Sequence, residues 1–444
     1  MRRKLLDCAA ALLLLLIPAA ACGQTGGPSI PTLPSGQMPV PVPRDEAQGT
    51  NVFSGRIAVG ARFDDNAVLS SAGRRSDIGY AFTPSLAFVQ TRPRLNWSVS
   101  YGPGVDISQH GLYPDQLTHY FGGQFTWFPS KRSIFSAQQN YILSTNPFQQ
   151  FGELPFTTTP GPLVSPNQSI FLPSLRRTSF LSQAQYSYEL SEHTVFGIGG
   201  SYGREDFNHN PGSGLTARSF ISSRVASGQA FLAHQFTRRN ELGVQYGVQV
   251  LRFPQGNSRT AAHAFQLFDE VKLTRNTSFT LYGGPQYSLT ANQLELNFLF
   301  FIVTIPVKEN TWSWSAGGIY SWTGQREALV LNYKHGISNG GALFGAVTLD
   351  SGSADLTWKL TSHWNLRTDI AGANNHLLGI QNKQSNLRTY SARMGLSRQI
   401  SQDLSMDFFY ERINQTGILP GLLTGNHDLV GVSFAYTFKK PIGR

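Results

Sequence analysis

Residues 429–438 read LVGVSFAYTF, and large side chains occupy every second position. The apolar or aromatic positions are Val430, Val432, Phe434, Tyr436 and Phe438, while the residues between them are mostly small or polar. Successive side chains of a β-strand point to opposite faces of the sheet, so this stretch predicts a strand with one apolar face and one small face.

The same alternation recurs at residues 95–101, 242–250 and 312–322. Soluble β-sandwiches also alternate, but they rarely carry aromatic and aliphatic residues on the outward face of nearly every strand, as a lipid-facing wall requires. We therefore predict that the apolar positions face lipid. The predicted lipid-facing residues are Trp97, Trp312, Trp314, Tyr320, Val432, Phe434, Tyr436 and Phe438.

Turn-forming residues divide the chain beyond Asn51 into short and long connections that alternate. The short turns fall at 91–93, 129–132, 191–193, 237–240, 274–276, 324–326, 361–363 and 401–403. The longer loops fall at about 64–76, 106–116, 145–177, 204–222, 254–260, 290–311, 338–342, 374–388 and 414–426. This rhythm predicts an all-β fold, an antiparallel transmembrane β-barrel of about 18 strands (16 to 18), with both termini on the periplasmic, short-turn side.

The N-terminus reads as an export signal: Arg2, Arg3 and Lys4 precede an apolar stretch at 9–17 and a small-residue stretch that ends at Ala21. Cleavage after Ala21 by signal peptidase I and lipidation at Cys22 both remain open. We divide the chain into a signal peptide (1–22), a proline-rich disordered periplasmic lead (23–50), the barrel (51–438) and a short periplasmic tail (439–444).

The formal net charge is +10, but charged residues make up only 14% of the chain and the cations are scattered over turns and the tail. No dense basic stripe or recognised motif is present, so we expect no nucleic-acid partner. The two cysteines are Cys8 and Cys22, so the barrel can hold no internal disulfide.

The export signal, the hairpin rhythm over 51–438 and the aromatic last strand ending at Phe438 resemble bacterial outer-membrane β-barrel proteins, in particular large porin-like barrels. The segment 61–66, ARFDDN, is similar to first-strand motifs of some large outer-membrane barrels, including ones near exopolysaccharide systems. The resemblance implies a location in the outer membrane, contact with its lipid, and recognition of the last strand by the outer-membrane insertion machinery.

The face opposite the apolar one would line the lumen, and its charges are balanced in sign. Such a balance predicts a weakly selective interior, or ion pairs such as Asp355–Lys359 and Arg367–Asp369 that brace the wall. The candidate lumen residues are Arg56, Arg62, Glu189, Glu270, Lys272, Glu327, Lys334, Asp355, Lys359, Arg367, Asp369, Arg393, Asp407 and Glu411, with Gln124, Gln138, Gln183, Gln185 and Gln245.

Two segments leave alternatives open. The loop at 145–177 could fold inward and narrow the pore, or lie on the surface. The apolar run at 294–307 is too short to cross a membrane as a helix, and it could extend a hairpin beyond the membrane, form an inward plug or add to the wall.

Residues that carry catalytic or metal chemistry are sparse. The ten histidines lack the paired spacing of a metal-binding helix, and no glycine-rich phosphate loop is present, so we expect no enzyme activity, cofactor or metal. Asp64 and Asp65 could meet His427 and Asp428 if the first and last strands close the barrel, and we interpret these four as rim residues.

The composition and pattern favour a weakly selective channel for small hydrophilic solutes. One alternative is an export conduit for an exopolysaccharide, with a periplasmic partner on the proline-rich lead. Another is a structural or adhesive barrel that acts through its extracellular loops.

Overall fold

The computed structural model describes residues 50–67, 73–112, 116–144, 175–209, 221–297, 302–340, 344–378, 386–417 and 424–441, and these ranges form one antiparallel sheet of eighteen strands. The strands are β1 (Thr50–Asp64), β2 (Asp77–Arg92), β3 (Leu95–Ser108), β4 (Gln116–Ser130), β5 (Ser133–Ser144), β6 (Leu175–Ser191), β7 (Thr194–His209), β8 (Ser223–Thr237), β9 (Asn240–Phe253), β10 (Ser258–Lys272), β11 (Thr277–Asn297), β12 (Ile302–Thr323), β13 (Glu327–Gly340), β14 (Phe344–Lys359), β15 (Trp364–Leu377), β16 (Asn386–Gln399), β17 (Leu404–Gly417) and β18 (Gly425–Pro441).

The sheet closes on itself. Each strand pairs with the next along the chain, and β18 pairs with β1 from Val52↔Pro441 to Asp64↔Leu429. A closed sheet has no edge strand, so every wall segment finds a backbone partner, which a hydrocarbon environment demands. The predicted eighteen-stranded antiparallel β-barrel is confirmed.

The eight predicted short turns all lie at one end of the barrel, where Thr50 and Pro441 also lie. We call this the short-turn end and the opposite one the long-loop end. Ser or Thr begins six of these turns, and its hydroxyl accepts a backbone N–H two or three residues later, a local bond that stabilises a tight reversal. These residues are Ser130, Ser191, Thr237, Thr274, Thr361 and Ser401.

The prediction of a long loop at 290–311 is wrong. Residues 290–311 are mostly strand, because β11 and β12 continue in register to Asn297↔Ile302. The described parts of the apolar run, 294–297 and 302–307, therefore extend the hairpin beyond its neighbours, since the β10 ladder on β11 ends at Arg259↔Ala291. At the other end, β18 runs past Phe438 to Pro441.

The signal peptide at 1–22, the lead at 23–49, most of the 145–177 loop and the last three tail residues lie outside the described residues. The predictions for these segments therefore stay predictions. Over the described ranges, no helix is long and apolar enough to span a bilayer.

Large apolar side chains are exposed around the wall on alternate positions of its strands. Ile57 on β1, Phe82 on β2, Ile198 on β7, Phe265 on β10 and Phe434 on β18 are examples from widely separated strands. Exposing an apolar belt of this extent to water would be unfavourable for a soluble monomer, whereas a barrel in a lipid bilayer requires such a belt.

Candidate functional site

The inward face carries the predicted lumen residues, with one exception. The exposed apolar residues fix the outward parity of each strand, and residues of the opposite parity point inward. The residues on inward positions are Arg56, Arg62, Glu189, Glu270, Lys272, Lys334, Asp355, Lys359, Arg367, Asp369, Arg393, Asp407 and Glu411. Glu327 instead pairs with exposed Trp358, on the outward face, because the inward parity of β13 falls on even-numbered residues.

The predicted lipid-facing residues share the outward face. Trp312 and Trp314 are 73% and 51% exposed, and Phe434, Tyr436 and Phe438 are also exposed. The remaining three, Trp97, Tyr320 and Val432, are half-buried on outward positions.

A row of charged residues crosses the inward face in direct register over β14 to β17. Asp355 opposes Asp369, Asp369 opposes Arg393, and Arg393 opposes Glu411. Arg367 and Asp369 form the predicted ion pair at 3.2 Å, whereas Asp355 lies beside Asp369 and forms no ion pair with Lys359 in the described structure. The row therefore places both signs of charge along the lumen.

A second inward ion pair depends on a glycine. Arg62 on β1 passes over Gly79 on β2 and reaches Asp106 on β3, with 3.1 Å between Nη1 and Oδ1. A Cβ on Gly79 would lie 2.8 Å from Nε of Arg62, so only glycine leaves this path open. Asp106 is not among the predicted lumen residues. Its position, five residues after the outward Tyr101 on the same strand, already places it on the inward face.

Inward glutamines form side-chain hydrogen bonds that connect one strand to another. Gln183 donates to Gln138 at 2.8 Å, and Gln245 donates to Gln229 at 3.0 Å. Gln266 on β10 donates to Ser315 on β12 at 2.8 Å. These amides keep the interior polar without adding charge.

Inward aromatic rings lie along the wall over glycines of the neighbouring strand. The ring of Phe231 covers Gly197, and the ring of Phe268 covers Gly243. Both rings are buried against the wall, which keeps their bulk out of the centre of the lumen.

The upper part of β13 leaves the wall at the long-loop end. β12 and β13 pair only between Thr323↔Ala328 and Ala316↔His335, although β13 continues to Gly340 beside β14. Residues 335–340 are all buried, so the alternation of exposed and covered faces is lost there. A strand covered on both faces lies inside the barrel. His335 still pairs with Ala316 and stacks on the outward Trp314, so we call residues 336–340 the inward segment.

The inward segment packs against the inner face of β8 and β9. Ile337 belongs to one buried apolar cluster with Val225 on β8 and with Leu251 and Phe253 on β9. β10, β11 and β12 separate these strands from β13 along the sheet, so the contact crosses the lumen. This packing narrows the passage at the long-loop end.

Polar contacts accompany that packing. The side-chain amide of Asn339 donates to Oγ of Ser223 at 2.8 Å and also to Glu205 on β7. Arg177 on β6 donates to the same Glu205 carboxylate. Glu205 is almost fully buried, so these partners compensate a charge that burial would otherwise penalise. None of these four residues is among the predicted lumen residues.

Asp64, Asp65, His427 and Asp428 meet where β1 and β18 close the barrel. Nδ1 of His427 lies 2.9 Å from Oδ1 of Asp64, and the backbone N–H of Asp428 donates to Oδ1 of Asp65 at 2.7 Å. The potential ligand atoms of Asp64, Asp65 and His427 lie within 4.8 Å of one another. Hydrogen bonds already occupy both Asp65 oxygens, one of them from Arg74. These polar contacts join the ends of β1 and β18 where the two strands close the barrel.

A closed wall, an apolar exterior and a polar interior define the class of protein: a transmembrane β-barrel of the bacterial outer-membrane type. No protein-family model and no curated protein sequence matches the chain.

Solved structures with a similar fold include OccAB4 of Acinetobacter baumannii, with 11% identity and a TM-score of 0.43, covering 90% of this chain and 100% of that chain. The siderophore receptor PiuA of the same organism has 8% identity and a TM-score of 0.45, covering 88% of this chain and 82% of its own. The outer membrane protein opdK of Pseudomonas aeruginosa has 10% identity and a TM-score of 0.42, with 88% and 99% covered.

Proposed function

We propose that the protein is an outer-membrane channel, and not an enzyme, through which small hydrophilic solutes diffuse with weak selectivity between anions and cations. The observation that carries the proposal is the inward face, where charged residues of both signs and amides lie on successive strands. A passage lined in this way hydrates solutes of either charge, whereas strong selectivity needs one sign to dominate a constriction.

The narrowing at the long-loop end supports small solutes over long polymers. The inward segment spans the lumen between β13 and the β8–β9 wall, so a polysaccharide would have to displace the apolar cluster around Ile337. An adhesive role would depend on the long loops, most of which lie outside the described residues.

The orientation belongs to the same proposal. With the short-turn end in the periplasm, the first and last strands both begin or end on the periplasmic side. The inward segment then narrows the extracellular entrance. The lumen residues named above then line the path from the short-turn end to the long-loop end.

Conductance of the purified, folded protein in a planar bilayer tests the proposal. We expect stable open steps and a reversal potential close to zero across a potassium chloride gradient. Silence from folded protein would contradict a channel, and a reversal potential near the Nernst value of one ion would contradict weak selectivity. Liposome swelling with sugars of increasing size separates a small-solute channel from a polymer conduit, because only the latter admits long oligosaccharides.

A further inference from the structure

Four arginines occupy one row on the outward face at the long-loop end. Arg204 on β7 pairs with Arg224 on β8, Arg224 with Arg252 on β9, and Arg252 with Arg259 on β10. Neighbouring strands lie about 4.8 Å apart, so the row spans about 14 Å. We call these four residues the arginine row.

The row continues over two further strands and ends on a fifth cation. Arg259 pairs with Ala291 on β11, and Ala291 pairs with Lys308 on β12. Lys308 and the four arginines are exposed, and each has the parity of the apolar residues on its own strand. The side chains therefore point away from the lumen and cannot contact a solute inside it.

Like charges in directly paired positions destabilise a sheet unless an anion compensates them. Within the described ranges, Arg204 forms an ion pair with Asp206, and Arg224, Arg252 and Arg259 form none. The chain neutralises at most one of these four cations there. The register thus holds at least three positive charges together without an ion-pair partner among the described residues.

The row lies at the boundary of the apolar belt. On β7, the next outward residue towards the short-turn end is Tyr202, followed further along by Ile198. The outward residues Tyr246 on β9 and Phe265 on β10 lie in the same direction, and all four are exposed. On the neighbouring hairpin, Trp312 packs on Tyr287 with ring centroids 5.1 Å apart. Aromatic residues of this kind mark the interface between hydrocarbon and water in transmembrane barrels. The guanidinium groups therefore lie at the level of lipid headgroups.

We propose that the arginine row binds the phosphate groups of a phosphorylated lipid in the leaflet at the long-loop end. Guanidinium groups bind phosphate through two parallel hydrogen bonds and are less strongly hydrated than ammonium groups. Only a lipid presents phosphates at the edge of the apolar belt and on the outer side of the wall, so the position selects a lipid over a soluble anion.

Outward cations elsewhere at this end have different surroundings. Arg412, for example, lies 3.7 Å from Asp428, which supplies a counter-charge. Arg388 on β16 is exposed, but its register neighbours are Asn374 and Thr416, so it has no cationic neighbour in its own row. Arg388 therefore provides a matched control.

The test compares wild-type protein, the double variant Arg224→Gln/Arg252→Gln and the control Arg388→Gln in nanodiscs. The discs contain phosphatidylcholine alone, or phosphatidylcholine with lipid A or with dephosphorylated lipid A, and a further arm adds inorganic phosphate to phosphatidylcholine discs. Thermal unfolding and native mass spectrometry of bound lipid are the readouts.

We expect lipid A to raise the Tm of the wild type and of the Arg388 variant, and the double variant to lose most of that increase. Loss of two arginines at a membrane surface corresponds to a roughly thirtyfold weaker retention of lipid A. In phosphatidylcholine alone, the double variant should be at least as stable as the wild type, because a like-charge contact has been removed. That arm also shows that the double variant folds.

Three outcomes would overturn the proposal. They are full retention of lipid A by the double variant, equal stabilisation by the dephosphorylated lipid, and an equal rise in Tm from inorganic phosphate alone. The last would show that the row binds a soluble anion.

Discussion

Nδ2 of Asn339 lies 2.8 Å from Oγ of Ser223 and joins β13 to β8, two strands with four others between them in the wall. The contact is possible because the inward segment has left its place beside β12. Together with the apolar cluster around Ile337, it holds the inward segment against β8 and β9.

Replacing Asn339 by alanine should weaken the closed arrangement and increase conductance. The amide donates to Ser223 and Glu205, and a lost buried hydrogen bond costs about 1 kcal/mol. This cost corresponds to a roughly fivefold shift of the equilibrium from the packed inward segment, the closed state, towards a displaced one, the open state. Single-channel recording measures this as larger or longer openings. Asn332→Ala, in the paired part of the same strand, is the control, and identical traces for the two variants would refute a gating role.

Asp106→Asn should destabilise the barrel. The ion pair between Arg62 and Asp106 is almost fully covered, so removing the carboxylate charge leaves a buried guanidinium without its charged partner. We expect the free energy of unfolding to fall by about 1–3 kcal/mol, measured by urea unfolding in lipid vesicles.

The exposed pair of Arg367 and Asp369 is the reference for that experiment. Arg367 is well exposed, so Arg367→Gln should change the free energy of unfolding by less than about 1 kcal/mol. Equal losses for Asp106→Asn and Arg367→Gln would show that burial does not set the strength of these pairs.

Gly243→Ala should disturb the inner wall. A Cβ there would lie 2.7 Å from the backbone oxygen of Leu232 and would collide with the ring of Phe268. Moving the ring into the lumen should lower both Tm and conductance, with a stability loss of about 1–3 kcal/mol.

The control is Gly395→Ala, another inward glycine whose added Cβ would lie 3.9 Å from its nearest neighbours. It should leave both quantities close to wild type. A harmless Gly243→Ala would mean that Phe268 can turn aside without entering the path.

The double variant Asp355→Asn/Asp369→Asn should shift the channel towards anions. These carboxylates supply two of the three negative charges in the row that Arg393 and Glu411 complete. The reversal potential across a potassium chloride gradient measures the shift. Asp428→Asn, at an outward acid bonded to Tyr410, should leave it unchanged, and a shift of the same size in that variant would place the selective charges elsewhere.

The amino-acid sequence determined the number of strands, the eight short turns and the face on which most of the selected wall residues lie, Glu327 being the exception. Period-two alternation records which side of a sheet a residue occupies, and turn chemistry is local, so both can be read without coordinates. For this reason the inward parity of Arg393 and the outward parity of Phe434 followed from their neighbours in the chain.

Only the tertiary structure decided which residues are neighbours across strands and where a strand leaves the wall. Parity is unchanged when one strand slides by two residues past the next, so alternation cannot align Arg224 with Arg252 or carry Arg62 over Gly79 to Asp106. The inward turn of residues 336–340 cannot be read from the local sequence either, because it depends on the apolar cluster that Ile337 forms with β8 and β9.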